Sequence, residues 1–75
     1  MKEELYEIAA EALGISAELT KEHSRELEDH RALYAWNPTR GGFAVIVADD
    51  GSKLVAGSAV KFDDHLKTFL GGRRN

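Results

Sequence analysis

Three histidines and the carboxylates around them are the residues of this 75-residue chain whose types could do acid–base or metal chemistry. His23 and His30 stand seven apart with Glu26 and Asp29 between them, and His65 follows Asp63 and Asp64. Such groups can ligate zinc or exchange protons with a substrate, but only at spacings that bring them to one point. No HExxH or other ligand spacing is present, and the segment around His23 reads as a charged, solvated face. We therefore expect solvation or capping roles for the three histidines, no catalytic residue, no metal and no cofactor. With no cysteine in the chain, thiolate sites, thiol catalysis and disulfides are excluded.

Other chemistry-bearing patterns also stop short. Ser52 falls in a turn, and Ser58 sits in a strand without the G-x-S-x-G frame of a nucleophile elbow. Arg40-Gly41-Gly42 lacks the Lys-Ser/Thr of a phosphate loop and leads into a strand rather than a helix. Its arginine is instead a candidate anchor for an acidic partner. Tyr34 and Trp36 alternate on one strand face, where they serve either as core or as the aromatic anchors of a protein interface. The sequence leaves that choice open.

The elements that must position these residues are organised around the stretch from Tyr34 to Val60. Ala32–Trp36 reads as an aromatic strand, which Pro38 ends because proline cannot donate to a ladder. Phe43–Ala48 is a second strand, apolar on both faces, and Asp49-Asp50-Gly51-Ser52 is a hairpin turn leading to a third. With Asp50 and Gly51 as the loop, Val47 lies opposite Leu54 and Val45 opposite Ala56. Phe43, Val45, Val47, Leu54 and Ala56 then form a bulky face for the helices. Ala44, Ile46, Ala48, Lys53, Val55, Gly57 and Ala59 form a smaller, only partly polar face left for a partner.

Before the sheet, Leu5, Ile8, Ala9, Ala12 and Leu13 recur at helical spacing with Glu3, Glu4, Glu7 and Glu11 on the other side. Gly14 can take the left-handed conformation that ends such a helix, with Ile15 folding back on its last turn. Ser16 could cap a short helix over residues 17–22. We expect a turn or short helix there, then an extended, charged lead-in to the first strand, with one longer helix as the alternative. After the sheet, Phe62, Leu66, Phe69 and Leu70 have helical spacing and Gly71 stops them.

Hydrophobic residues make up 43% and charged residues 31% of the chain, a globular balance. Residues 1–30 hold nine acids against three bases, and residues 31–75 four acids against seven bases. An acidic front argues against general nucleic-acid binding, and Arg73-Arg74 supplies too few contacts to reverse that. No apolar run approaches the roughly 20 residues of a membrane span, so a cytoplasmic protein is expected.

Trp36-Asn37, Gly42, Val45-Ile46-Val47-Ala48-Asp49, Gly51 and Ala56-Gly57-Ser58-Ala59 before a short helix resemble the YrhB-like family of small bacterial proteins, over about residues 34–70. That family includes immunity proteins of polymorphic toxin systems. Asp50, Arg40-Gly41 and the basic tail depart from its pattern. The resemblance implies a toxin-neutralising binding protein without catalytic residues, which contacts its target through Trp36, Arg40 and the acidic front.

The expected architecture is therefore a single α+β domain over residues 1–75. It has an N-terminal helix, a three-stranded antiparallel meander and a short C-terminal helix, the helices packed on one sheet face, with residues 71–75 a flexible basic tail. The expected function is non-enzymatic binding of another protein, a toxin or effector, through Tyr34, Trp36, Arg40, Ile46, Val55, Glu26 and Asp29. The alternative is a structural or regulatory homodimer formed through a sheet edge or face.

Overall fold

The computed structural model describes residues 2–39, 42–57 and 59–75. In chain order its elements are α1 (Glu3–Leu13), α2 (Ala17–Glu22), β1 (Ser24–Leu27), a 3₁₀ turn (Glu28–His30), β2 (Ala32–Trp36), β3 (Ala44–Ala48), β4 (Lys53–Ala56) and α3 (Phe62–Leu70). The strands form one antiparallel sheet in the order β1-β2-β3-β4.

The helix ends follow local chemistry. At the end of α1, Gly14 takes φ 72° and the Ile15 N–H reaches the Ala10 carbonyl, a Schellman cap with the glycine where a side chain would be strained. Two residues later the Ser16 hydroxyl accepts the Leu19 N–H and opens α2. Buried Thr20 donates to the Ser16 carbonyl, so α2 brings no unmatched hydroxyl into the core.

Apolar side chains occupy both faces of the sheet. On one, Leu33, Ala35, Val45 and Val47 pack against Leu5, Ala9 and Leu13 of α1. On the other, Ala32, Ile46 and Leu54 pack against Phe69 of α3, with Leu27, Tyr34, Ala48 and Leu66 around them.

The fold class is thus the expected one, α+β with an antiparallel sheet, but two helices, α1 and α2, precede the sheet where one N-terminal helix was expected, because Ser16 caps a second helix, and three further details differ. The sheet has four strands, because Ser24–Leu27 pairs with Ala32–Ala35 instead of only leading in. The β3–β4 turn is one residue longer than a two-residue loop: the Ala48 N–H bonds the Ser52 carbonyl across Asp49-Asp50-Gly51, and Gly51 takes φ 92°. That is a type I turn closed by a glycine bulge. It sets Val47 opposite Lys53 and Val45 opposite Val55. A one-residue shift reverses every side chain of a strand, so Leu54 and Ala56 move to the α3 face and Val55 to the α1 face. Finally, the helices lie on both faces rather than one, because Ile46 and Leu54 form an apolar strip that α3 covers. Phe43, assigned by its spacing to the core, precedes β3 and is 53% exposed.

The last residues also have a place. Asn75 bonds the outer edge of β4 at Lys53 and Val55, so the segment expected to be a flexible tail lies against the sheet.

Candidate functional site

The α3 face of the sheet is built of cross-strand rows. Leu27, Ala32 and Ala48 form one, Arg25, Tyr34, Ile46 and Leu54 the next, and Trp36, Ala44 and Ala56 the third. Phe69 and Leu66 cover the first two rows, and Phe62, the first residue of α3, sets its ring edge-on to Tyr34 at 4.7 Å. The third row falls beyond the helix. Its strand partners are alanines where the second row has Ile46 and Leu54, so the sheet is low there beside a large indole. A groove of about 580 Å³ results, walled by Arg25, Tyr34, Trp36 and Phe62, floored by Ala44 and rimmed by Phe43 and Val60.

The walls are fixed by ring contacts. The Trp36 ring lies 5.5 Å from Tyr34 and meets His23 edge-on at 6.0 Å. His23 is itself held by donation from Nδ1 to the Leu19 carbonyl, which caps α2. Arg25 reaches from β1 over both rings of the opposite wall, its guanidinium carbon 4.7 Å from the Phe62 centroid and 5.9 Å from that of Tyr34. Asn37, at one end, is committed to the fold: its Nδ2 donates to the Leu13 carbonyl and its Oδ1 accepts the Thr39 N–H.

The groove combines a cation with apolar and aromatic surface. Among its described lining residues Arg25 carries the charge and none is acidic, although the chain has 13 acidic residues. The acids of α1 lie across the sheet, on the opposite face. There Glu3 pairs with Lys21, and the hydrogen bond from the ammonium to that carboxylate raises the lysine pKa.

The residues singled out by sequence divide accordingly. Tyr34 and Trp36 are brought together in the groove, each partly exposed. Ile46 has no exposed surface, being sealed by α3, and Val55 packs on the α1 side of the sheet. The small face on which both were placed is therefore not open at these two residues, since the register shift removes Val55 from it and α3 covers Ile46, and it is open at its Ala44 end, in the groove. Glu26 on β1 and Asp29 in the 3₁₀ turn are exposed, and both line a shallow depression that shares Arg25 and Phe62 with the groove. Arg40 and Ser58 lie outside the described residues.

Sequence reasoning missed Arg25 and Phe62. Recognition of Ser24–Leu27 as a strand would have revealed the first, since antiparallel pairing then sets Arg25 beside Tyr34. Phe62 carried no comparable signal, because helical spacing does not say which ring a first-turn residue will meet.

The histidines are dispersed. His30 is exposed in the 3₁₀ turn, whereas His65 is 2% exposed and donates from Nε2 to the Leu54 carbonyl at 2.8 Å. Among the described residues no three His, Asp or Glu side chains are grouped to hold a metal ion, and no helix is long and apolar enough to cross a membrane. In comparisons with known proteins, no family model, curated protein or solved structure matches the chain.

Proposed function

We propose that this chain is a non-enzymatic protein-binding module, of the immunity or inhibitor type that the YrhB-like resemblance implies, and that it grips a partner protein in the groove beside Trp36. One observation carries the reading. The third row of the sheet leaves Trp36 and Tyr34 partly exposed beside an arginine, with Phe43 and Val60 exposed at the rim. Tryptophan, tyrosine and arginine dominate the energetics of protein interfaces, because each offers a large apolar surface together with a polar or charged end. Glu26 and Asp29 beside the groove give it a rim of mixed charge, which favours one docking orientation over others.

The test is site-specific crosslinking in the native host. Phe43, exposed at the rim, is replaced by a photoreactive phenylalanine analogue. A discrete adduct with a different polypeptide is expected, lost on Trp36→Ala in protein that still unfolds cooperatively. Adducts formed only between copies of the chain would replace this reading with a homodimer, and absence of any adduct would remove it.

A further inference from the structure

The charge and shape of the groove define the segment that fits it. The Arg25 guanidinium carbon lies 4.7 Å from the Phe62 centroid and 5.9 Å from that of Tyr34, and a guanidinium set over a ring can keep N–H donors at its edge for an acceptor. Among the described residues no carboxylate lies within ion-pair distance of it. Asn37, at the other end, is held in place by one donation from Nδ2 to the Leu13 carbonyl and one acceptance at Oδ1 from the Thr39 N–H. The groove thus offers an aromatic and apolar trough whose one described lining cation, Arg25, stands at its β1 end.

Resting on the protein-binding reading above, we infer that the groove takes an extended segment of the partner with a large apolar side chain two residues from an aspartate or glutamate. The apolar side chain lies on Trp36 above Ala44, and the carboxylate meets the edge of Arg25. Spacing supports this. Arg25 and Tyr34 are cross-strand neighbours, and Trp36 follows two residues along β2 on the same face. Arg25 and Trp36 are thus diagonal neighbours, a placement that separates residues by roughly 7–8 Å, and same-side side chains of an extended peptide recur every ~7 Å.

A single-stranded nucleic acid would also stack on these rings, but it carries a charge at every nucleotide. The groove presents one described cation, and the depression beside it is lined by Glu26, Glu28 and Asp29. That arrangement suits one carboxylate and repels a polyanion.

Trp36 is the only tryptophan in the chain, so its indole N–H gives one NMR signal that reports from inside the groove. The full chain is titrated at low salt with three capped peptides, Gly-Phe-Ser-Asp-Gly, its Asp→Asn form and its Phe→Ala form, and with oligo(dT). The Phe/Asp peptide is expected to move the indole signal and to bind about fivefold more tightly than the Asn form, a preference that fades as salt rises. The Phe→Ala form should bind weakly or not at all. In Arg25→Gln, whose substituted side chain is exposed, the Asp and Asn forms should bind equally.

Equal binding of the Asp and Asn forms to the wild type overturns the inference while leaving the protein-binding groove standing. Failure of every peptide to move the signal overturns it as well, with the crosslinking experiment still deciding the broader reading. If oligo(dT) alone moves the signal, the inference and the protein-binding reading fall together.

Discussion

The guanidinium carbon of Arg74 stands 3.8 Å from the centre of the Phe69 ring, and the same side chain donates from Nη1 to the Phe69 carbonyl and from Nε to Ser52 Oγ. One residue thereby ties the end of α3 to the β3–β4 turn. The next residue completes the fastening. Asn75 donates its N–H to the Lys53 carbonyl, its Oδ1 accepts the Val55 N–H and its Nδ2 donates to the Val55 carbonyl. The side-chain amide acts as a short stretch of strand against the outer edge of β4. Unpaired edge groups invite pairing with other chains, and natural sheets commonly cover them.

Asn75→Ala should therefore lower stability by about 1 kcal/mol, the usual net value of one or two exposed hydrogen bonds. Arg74→Ala should cost at least as much, because it removes the stacking on Phe69 as well. Urea denaturation measures both effects. The double variant should also associate as its concentration rises, which light scattering would detect. An unchanged midpoint and no association would show that the end of the chain does not hold the edge.

The same turn predicts a pH dependence. Asp50 Oδ1 accepts both the Ser52 hydroxyl and the Ser52 N–H, and these bonds, with Arg74 nearby, hold its carboxyl below the ordinary value. A depressed folded-state pKa contributes stability that is fully present above the unfolded value of about 3.9 and is lost as pH falls through the folded value. Carboxyl NMR titration should find Asp50 below a reference aspartate, and Ser52→Ala should move it upward. The stability difference between wild type and Ser52→Ala should shrink as pH falls below the unfolded value of about 3.9 and on through the folded one.

How much of this was legible in the sequence depended on how local each signal was. Gly14 and Ser16 fix the helix ends within a few residues, and the apolar spacing from Phe62 to Leu70 marks the last helix with the bounds it has. Ser24–Leu27 has no β-branched or aromatic residue, and it is a strand only because β2 offers it an edge. The turn was harder still: Asp49-Asp50-Gly51 suits a two- or a three-residue loop almost equally well. That one residue decided which face Leu54 and Val55 occupy, and with it where α3 would pack. At the candidate site, Tyr34 and Trp36 were visible as alternating aromatics, whereas Arg25 depended on the strand that local propensity did not mark.

His65 offers a test of the buried polar contact beneath α3. It is among the largest fully buried side chains, and its Nε2–H satisfies the Leu54 carbonyl. His65→Ala opens a cavity and removes that donor, so it should cost about 3 kcal/mol. His65→Gln, which retains a donor, should recover part of the loss. Urea midpoints of the two variants check this. A small loss in both would mean that the α3 end of the sheet relaxes around the site.

The groove itself is best tested by filling it. Trp36→Ala is an ambiguous probe, since removal of the indole also removes its contacts with Tyr34 and His23 and should cost about 2 kcal/mol of stability. Ala44→Ile adds bulk instead. Ala44 is the cross-strand partner of Trp36 and lines the groove, and a β-branched residue suits a strand. The unfolding midpoint should therefore shift by less than about 0.5 kcal/mol in equivalent stability, while partner binding should weaken at least tenfold because the trough beside the indole is occupied. Crosslinking yield from residue 43 and affinity for the captured partner give the second number, and urea denaturation gives the first. If Ala44→Ile folds as the wild type does and still binds with unchanged affinity, the partner does not enter the groove, and the exposed rings of Tyr34 and Trp36 belong to the packing of the sheet alone.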